Sequence, residues 1–279
     1  MQLPDFSADA LIVLGHGTGL NAQSAEPARL HAAELRQRRL FHEVREAFWK
    51  QDPRIQTVLA ELTAPRIFIV PLFISEGYFA SEVIPRELGF APPPARLTRP
   101  GTELFYCPPV GSHASMTGLI LARAEAVVRQ FPFPRAPRPA DISLFIAGHG
   151  TGRNANSRKA IEHQVELIRA RQIYACVHPV FMEEDPRIAA CYTLATTRYV
   201  VVVPFFISDG LHAVEDIPVL LGEPEAAVRE RLAAGQPTWR NPTEKHGKLV
   251  WYSASVGTDP LMAEVILNRV HEAASPLAS

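Results

Sequence analysis

This chain of 279 residues has only three cysteines and almost no net charge. It also has no long apolar run. The three cysteines, Cys107, Cys176 and Cys191, are odd in number and show no paired spacing, which argues against a disulfide framework or a cysteine-ligated metal cluster. The formal net charge of −1 argues against a general nucleic-acid-binding protein. No apolar stretch reaches membrane-spanning length, and the first residues lack the basic and apolar regions of a secretory signal. We therefore expect a globular cytoplasmic protein that binds neither membranes nor nucleic acid.

The chain does contain a motif that occurs twice, Gly-His-Gly-Thr-Gly, first around His16 and again around His149. The offset of 133 residues between these histidines also relates residues 52–55, Asp-Pro-Arg-Ile, to the same four residues at 185–188. Further along, the second repeat carries an insertion. A period this long is typical of a duplicated domain rather than a solenoid, so we expect two similar lobes.

Each repeat alternates short apolar runs with helical patterns. The predicted strands are 10–14, 67–70, 142–147 and 199–203, and the predicted helices are 28–38, 116–129, 158–171 and 260–273. Apolar runs that end at glycine or proline are typical of buried parallel strands. Strands that alternate with helices predict an α/β protein, here with two tandem lobes, each a mostly parallel sheet flanked by helices.

The segment 131–141 is too rich in proline for a strand or a helix. We interpret it as a linker between an N-terminal lobe, 1–130, and a C-terminal lobe, 142–279. We also expect a ligand-binding cleft between the two lobes, because ligands of such sheets bind beyond the carboxyl ends of the strands.

The loops that follow the strands of the second repeat contain two histidines and two acids. His149 follows the first strand, Glu183 and Glu184 follow the second, and His212 lies after a later one. Consecutive side chains of extended backbone point to opposite faces, so we expect only one of the two glutamates near the histidines. Two imidazoles and a carboxylate predict a divalent transition-metal site, and open coordination positions suit chemistry or transfer.

The first repeat lacks this combination. It keeps His16, but it has Phe79 at the position of His212 and Lys50 at the position of Glu183. We therefore expect His16 to hold its turn or to contact a ligand rather than to form a second metal site. The site of the N-terminal lobe is interpreted as degenerate.

At these residues the chain resembles the class II tetrapyrrole chelatases, and among them the sirohydrochlorin cobaltochelatases and ferrochelatases of cobalamin and sirohaem biosynthesis. The matching pieces are His149-Gly150-Thr151, Phe181-Met182-Glu183 followed by Pro186, and Gly210-Leu211-His212 before Asp216-Ile217-Pro218. The resemblance spans both lobes. The sequence departs from the family in Thr151, where serine is frequent, and in its incomplete first lobe, which is similar to long-form members with one full site.

The resemblance implies a lyase-type metal chelatase. In this interpretation Co²⁺, Fe²⁺ or Ni²⁺ is a substrate inserted into a sirohydrochlorin-type tetrapyrrole, and no cofactor is permanently bound. His149 and His212 would bind the metal, with Glu183 beside them to assist removal of the pyrrole protons. A non-catalytic carrier of metal or tetrapyrrole on the same fold is the alternative. The sequence leaves the physiological metal and the oligomeric state open.

The implied substrate carries many carboxylates, so cations near the second turn are candidate partners. Arg153 and Arg158 follow that turn closely, although a solvated helix face explains them equally well. The complete set of expected substrate contacts is Thr151, Arg153, Asn154, Arg158, Gly210 and His16.

Overall fold

The computed structural model describes residues 5–17, 24–90, 96–150 and 155–275, and these residues contain two five-stranded sheets. The strands of the first sheet are β1 (Ala10–Gly15), β2 (Glu43–Phe48), β3 (Arg66–Pro71), β4 (Arg96–Arg99) and β5 (Thr102–Tyr106). Those of the second are β6 (Ile142–Gly148), β7 (Cys176–Phe181), β8 (Tyr199–Pro204), β9 (Thr243–Lys245) and β10 (Lys248–Tyr252).

The two sheets share one topology. Their strand orders are β2-β1-β3-β5-β4 and β7-β6-β8-β10-β9, parallel throughout except for the antiparallel edge strands β4 and β9. The central strands β1 and β6 are buried along their whole length, as expected of apolar strands covered on both faces. The predicted α/β class with two mostly parallel sheets is confirmed.

Helices connect these strands. The α-helices of the described residues are α1 (Glu26–Arg38), α2 (Ile55–Glu61), α3 (Ile84–Glu87), α4 (Met116–Gln130), α5 (Ala155–Ala170), α6 (Cys191–Leu194), α7 (Ile217–Leu220), α8 (Glu225–Ala233) and α9 (Met262–Ala274). A π-helical turn precedes α3 at Phe79–Val83, and another precedes α7 at His212–Asp216. The helix α8 lies in the insertion of the second repeat.

The chain divides into two compact units that differ from the predicted lobes 1–130 and 142–279. The first unit comprises Met1–His113 and Pro260–Ser279, and the second comprises Ala114–Asp259. Helix α4 therefore ends the first repeat but belongs to the second unit, while α9 ends the second repeat but belongs to the first. The periodicity of a helix shows that it has an apolar face, but not which sheet that face covers.

Buried polar contacts accompany this arrangement of the two helices. In the second unit, Thr117 of α4 donates a hydrogen bond of 2.7 Å to the Gln164 side chain of α5. In the first unit, the guanidinium of Arg269 on α9 donates to the Pro109 carbonyl oxygen at 2.7 Å. A lone buried polar group is costly, so such pairs favour one packing over others.

The proline-rich segment 131–141 also belongs to the second unit, although the sequence suggested a linker between lobes. The Trp251 indole nitrogen, on β10, donates a hydrogen bond of 2.9 Å to the Phe131 carbonyl oxygen. All three cysteines are free, in agreement with their unpaired spacing. Among the described residues no helix is long and apolar enough to span a bilayer.

Candidate functional site

His149 lies on the tight turn that follows β6, at the carboxyl edge of the second sheet. The next residue, Gly150, has a φ of +65°, and a Cβ atom there would lie 2.6 Å from the Cβ of Phe181. A Cβ on Gly148 would lie 2.0 Å from the Cδ1 of Ile161. Glycine therefore fits on both sides of the histidine where larger residues would collide, and the turn presents the imidazole at the strand end.

Glu183 follows β7 and lies beside His149. Its backbone N–H donates a hydrogen bond of 3.0 Å to the His149 carbonyl oxygen, and its Oε1 lies 3.8 Å from the His149 Nε2. The side chain of Glu184 instead pairs with the guanidinium of Arg158 at 3.3 Å. The structure thus brings Glu183, and not Glu184, to the imidazole, and both lie on the bend that follows β7 rather than on extended backbone.

His212 is the first residue of the π-helical turn that follows β8. Its ring packs against that of His149, with centroids 4.9 Å apart and ring planes at 83°. The side chains of His149 and His212 are 34% and 48% exposed, so both imidazoles remain accessible to a ligand. Two histidines that are distant in the sequence therefore meet at one edge of the sheet.

Asp216 orients His212. The His212 Nδ1 lies 2.6 Å from the Asp216 Oδ2, within the same π-helical turn. A ring nitrogen that donates to a carboxylate carries the proton, which leaves Nε2 with a free lone pair for a ligand. The sequence-based selection of site residues did not include Asp216. Its signal was the spacing of four residues from His212, together with the first repeat, which has Val83 at the position of Asp216.

The insertion of the second repeat contacts this same turn. Arg229 of α8 donates a hydrogen bond of 2.9 Å to Glu215, which directly precedes Asp216. Glu215 has 19% of its side chain exposed, whereas Arg229 is 64% exposed. Helix α8 is therefore hydrogen-bonded to the π-helical turn that carries His212.

The other predicted substrate contacts have different outcomes. Thr151, Arg153 and Asn154 lie outside the described residues. Arg158 pairs with Glu162 at 2.7 Å as well as with Glu184, and its guanidinium lies 4.9 Å from the Phe181 ring centroid. Its charge is therefore already compensated within the protein. The carbonyl oxygen of Gly210 accepts hydrogen bonds from the backbone at the start of the π-helical turn, from Ala213 and Val214.

The second-unit site does not form a closed coordination shell. Within the described ranges, no group of three or more His, Cys, Asp or Glu side chains is arranged to hold a metal ion. His149 and His212 are in ring contact, but the Glu183 carboxylate is 59% exposed and 3.8 Å from His149. Two imidazoles and a nearby carboxylate are thus neighbours at one edge of the second sheet.

His16 occupies the corresponding turn of the first unit. Its Nδ1 lies 2.9 Å from the Gly17 carbonyl oxygen, and its ring contacts Phe73 and Phe79 edge to face, with centroids 6.2 and 6.0 Å away. Burial lowers the pKa of His16; the hydrogen bond to Gly17 opposes this effect, and the charge of Lys50 adds to it. A histidine held neutral among aromatic rings fits the expectation that this lobe keeps a degenerate site.

Both repeats match one protein-family model, described as CbiX, over residues 10–127 and 143–273. The chain belongs to the CbiX family. The resemblance inferred from the strand-end motifs is thereby confirmed. The family match extends over each repeat separately, so both halves keep the CbiX scaffold although only the second has the pair of histidines.

Two curated relatives match different shares of the chain. A probable sirohydrochlorin cobaltochelatase of Halobacterium salinarum is 40% identical, over 96% of this chain and 92% of the relative. A sirohydrochlorin cobaltochelatase of Methanopyrus kandleri is 30% identical over 140 residues, which are 47% of this chain and 96% of that protein. The second relative thus corresponds in length to about half of this chain.

A solved structure has the same fold over nearly the whole chain. DR2241 from Deinococcus radiodurans aligns with a TM-score of 0.74 and 28% identity over 94% of this chain. That protein is described as a multi-domain protein with structural similarity to chelatases and with two additional novel domains. This chain covers 54% of the length of that protein.

Proposed function

We propose that this protein inserts a divalent metal ion into a sirohydrochlorin-type tetrapyrrole, as a lyase-type chelatase. The observation that carries the proposal is the contact between the imidazoles of His149 and His212, with ring centroids 4.9 Å apart and the Glu183 carboxylate beside them. The family match and the 40% identity to a probable sirohydrochlorin cobaltochelatase support the choice of reaction and substrate.

The two histidines receive the metal. Imidazole binds a metal ion through a neutral ring nitrogen and suits Co²⁺, Fe²⁺ and Ni²⁺ alike, so the same pair can accept each of these substrates. Co²⁺ is the first choice because both curated relatives are named cobaltochelatases. Asp216 keeps the proton of His212 on Nδ1 and directs Nε2 toward the ion.

Glu183 accepts protons. Insertion of a divalent ion into the macrocycle forms the metal–nitrogen bonds and releases two protons from the pyrrole nitrogens. The Glu183 carboxylate is 59% exposed, so it can take up a proton next to His149 and pass it to solvent. A positioned general base of this kind contributes about 10²- to 10⁴-fold in rate.

A carrier that binds metal or tetrapyrrole without turnover is the alternative on the same fold. The 40% identity to a probable sirohydrochlorin cobaltochelatase supports the chelatase over the carrier.

The deciding experiment mixes the purified protein with sirohydrochlorin and Co²⁺ and follows the absorption change of the macrocycle. We expect a rate well above that of Co²⁺ and sirohydrochlorin alone, with Fe²⁺ and Ni²⁺ run in parallel to rank the metals. Binding of both substrates without a rate above the protein-free control would establish the carrier and reject the chelatase.

A further inference from the structure

The first unit keeps the backbone of the second-unit site and changes its chemistry. The N–H of Lys50 donates to the His16 carbonyl oxygen at 2.9 Å, as the N–H of Glu183 donates to the His149 carbonyl oxygen at 3.0 Å. Lys50 therefore occupies the structural position of Glu183 with the opposite charge. A cation at this position repels a divalent metal ion and attracts an anion.

Phe79 replaces His212 as the first residue of its π-helical turn, Phe79–Val83. Phe79 and its neighbour Tyr78 are 43% and 55% exposed, and their ring centroids are 5.9 Å apart. If Phe79 only filled the space that a histidine side chain takes in the second repeat, we would expect its ring to be buried. These two rings instead form a pair that is open to solvent, and aromatic faces bind flat conjugated ligands well.

Among the residues that the structure describes, no acid pairs with the positive charge of this surface. The Lys50 Nζ lies 5.3 Å from the Phe79 ring centroid, and Lys50 forms no ion pair within the described residues. Glu76 lies in the loop before Tyr78 and Phe79, but its carboxylate accepts a hydrogen bond of 3.0 Å from Ser112. The lowered pKa of His16 leaves Lys50 as the cation of this turn at neutral pH.

We infer that the surface formed by Lys50, Tyr78 and Phe79 is a binding site for the carboxylated tetrapyrrole. Lys50 pairs with a peripheral carboxylate, and the two aromatic rings contact the conjugated face. This inference rests on the proposed function, since that function supplies the polyanionic flat ligand.

The test is a titration of the full-length protein with metal-free sirohydrochlorin, followed by absorbance or fluorescence. Lys50→Glu places a carboxylate next to the peripheral carboxylate of the ligand. We expect the Kd of this variant for sirohydrochlorin to rise by about tenfold or more, because the two negative charges repel each other. Phe79→Ala should also raise the Kd, whereas Lys50→Arg keeps the charge and should bind like the unaltered protein. Arg135→Glu, at an exposed arginine of the proline-rich segment, is the matched charge reversal and should leave the Kd unchanged.

Two further measurements separate this inference from the proposed function. Co²⁺ binding without tetrapyrrole should be the same in Phe79→Ala as in the unaltered protein, and Lys50→Glu should keep the thermal transition of the unaltered protein, which shows that both variants are folded. His212→Ala should bind sirohydrochlorin normally but fail to metallate it. Equal tetrapyrrole affinity in Lys50→Glu and Arg135→Glu would overturn the inference while leaving the chelatase intact. If tetrapyrrole binding depended on Lys50 but no metal were inserted, the binding surface would be supported and the chelatase rejected.

Discussion

At the scale of single residues, the two repeats differ in a few side chains that determine what each strand end can bind. In the second unit His212 and Asp216 form a hydrogen-bonded pair, and in the first unit both members are replaced by apolar residues, Phe79 and Val83. A carboxylate that orients an imidazole loses this role when the imidazole is replaced. The joint replacement therefore supports a functional link between His212 and Asp216.

The first prediction compares the two histidine turns. We expect His212→Ala to abolish metal insertion, because one of the two contacting imidazoles is lost. His16→Ala should lower the rate far less, since His16 contacts aromatic rings and not a second imidazole. Initial rates with sirohydrochlorin and Co²⁺ measure both effects. Equal losses in the two variants would show that the units do not divide the work in this way.

The second prediction concerns Asp216 as a positioning residue. In Asp216→Ala the His212 Nδ1 loses its acceptor, and we expect Co²⁺ affinity to fall by about 10- to 100-fold. Asp216→Asn keeps an acceptor oxygen without the charge, so its Co²⁺ affinity should lie between those of Asp216→Ala and the unaltered protein. A Co²⁺ absorption titration without tetrapyrrole measures this directly, with Glu230→Ala on the exposed face of α8 as the control. An unchanged titration in Asp216→Ala would reduce Asp216 to a structural role.

At the scale of secondary-structure elements, the insertion of the second repeat is held by one buried carboxylate. Glu223 pairs with Arg231 of α8 at 2.7 Å and with Lys245 of β9 at 3.1 Å, and its side chain is 9% exposed. Burial opposes ionisation of Glu223, but its hydrogen bonds and charge interactions with both cations outweigh burial and lower its pKa. Through Arg229, the same helix contacts the turn of His212.

The third prediction follows from this lowered pKa. Glu223→Gln should reduce the free energy of unfolding by about 1–2 kcal/mol at neutral pH, because two charge-assisted hydrogen bonds are weakened. A folded-state pKa below the ordinary value of 4.5 stabilises the fold above that pH, and the stabilisation is lost as the pH falls through the folded-state pKa. The gap between Glu223→Gln and the unaltered protein should therefore shrink in acid.

Denaturant unfolding at several pH values measures this gap. The matched control is Glu225→Gln, which removes an exposed ion pair with Arg229 and should change stability little. A gap for Glu223→Gln that stayed constant from neutral to acidic pH would contradict the assigned ionisation.

At the scale of the whole molecule, the repeats and the compact units do not coincide. Helix α4 covers the second sheet and α9 covers the first, so each unit is completed by a helix from the other repeat. The apolar side chains of α4 that are buried in this way are Met116, Leu119, Ile120, Ala124, Val127 and Val128. A fragment cut at the repeat boundary would leave its sheet without this cover.

The fourth prediction tests that division. A fragment of residues 114–259 contains the second sheet together with α4, and we expect it to unfold cooperatively. A fragment of residues 142–279 has the second repeat but lacks α4, so it should bind a hydrophobic dye and lack a sharp thermal transition. Dye fluorescence and thermal melts compare the two. Cooperative folding of 142–279 alone would show that the repeat is the autonomous unit.

Much of the fold and part of the site followed from local patterns. The apolar runs before Gly15 and Gly148 predicted buried parallel strands, since period and flanking residues report on burial of a short segment. The carboxyl ends of parallel strands lie along one edge, so His149 and His212 could be expected to meet although they are far apart in sequence. The family match then confirmed the resemblance that these motifs carried.

The sequence by itself therefore determined the duplicated α/β scaffold, its strand ends and the asymmetry between the two histidine turns. Only the tertiary structure decided which sheet α4 and α9 cover, that Glu183 rather than Glu184 reaches His149, and that Arg158 is already paired. The physical reason is the range of each interaction. Backbone geometry and periodicity act between neighbours in the chain, whereas packing and ion pairing depend on distances between segments that only the folded chain brings together.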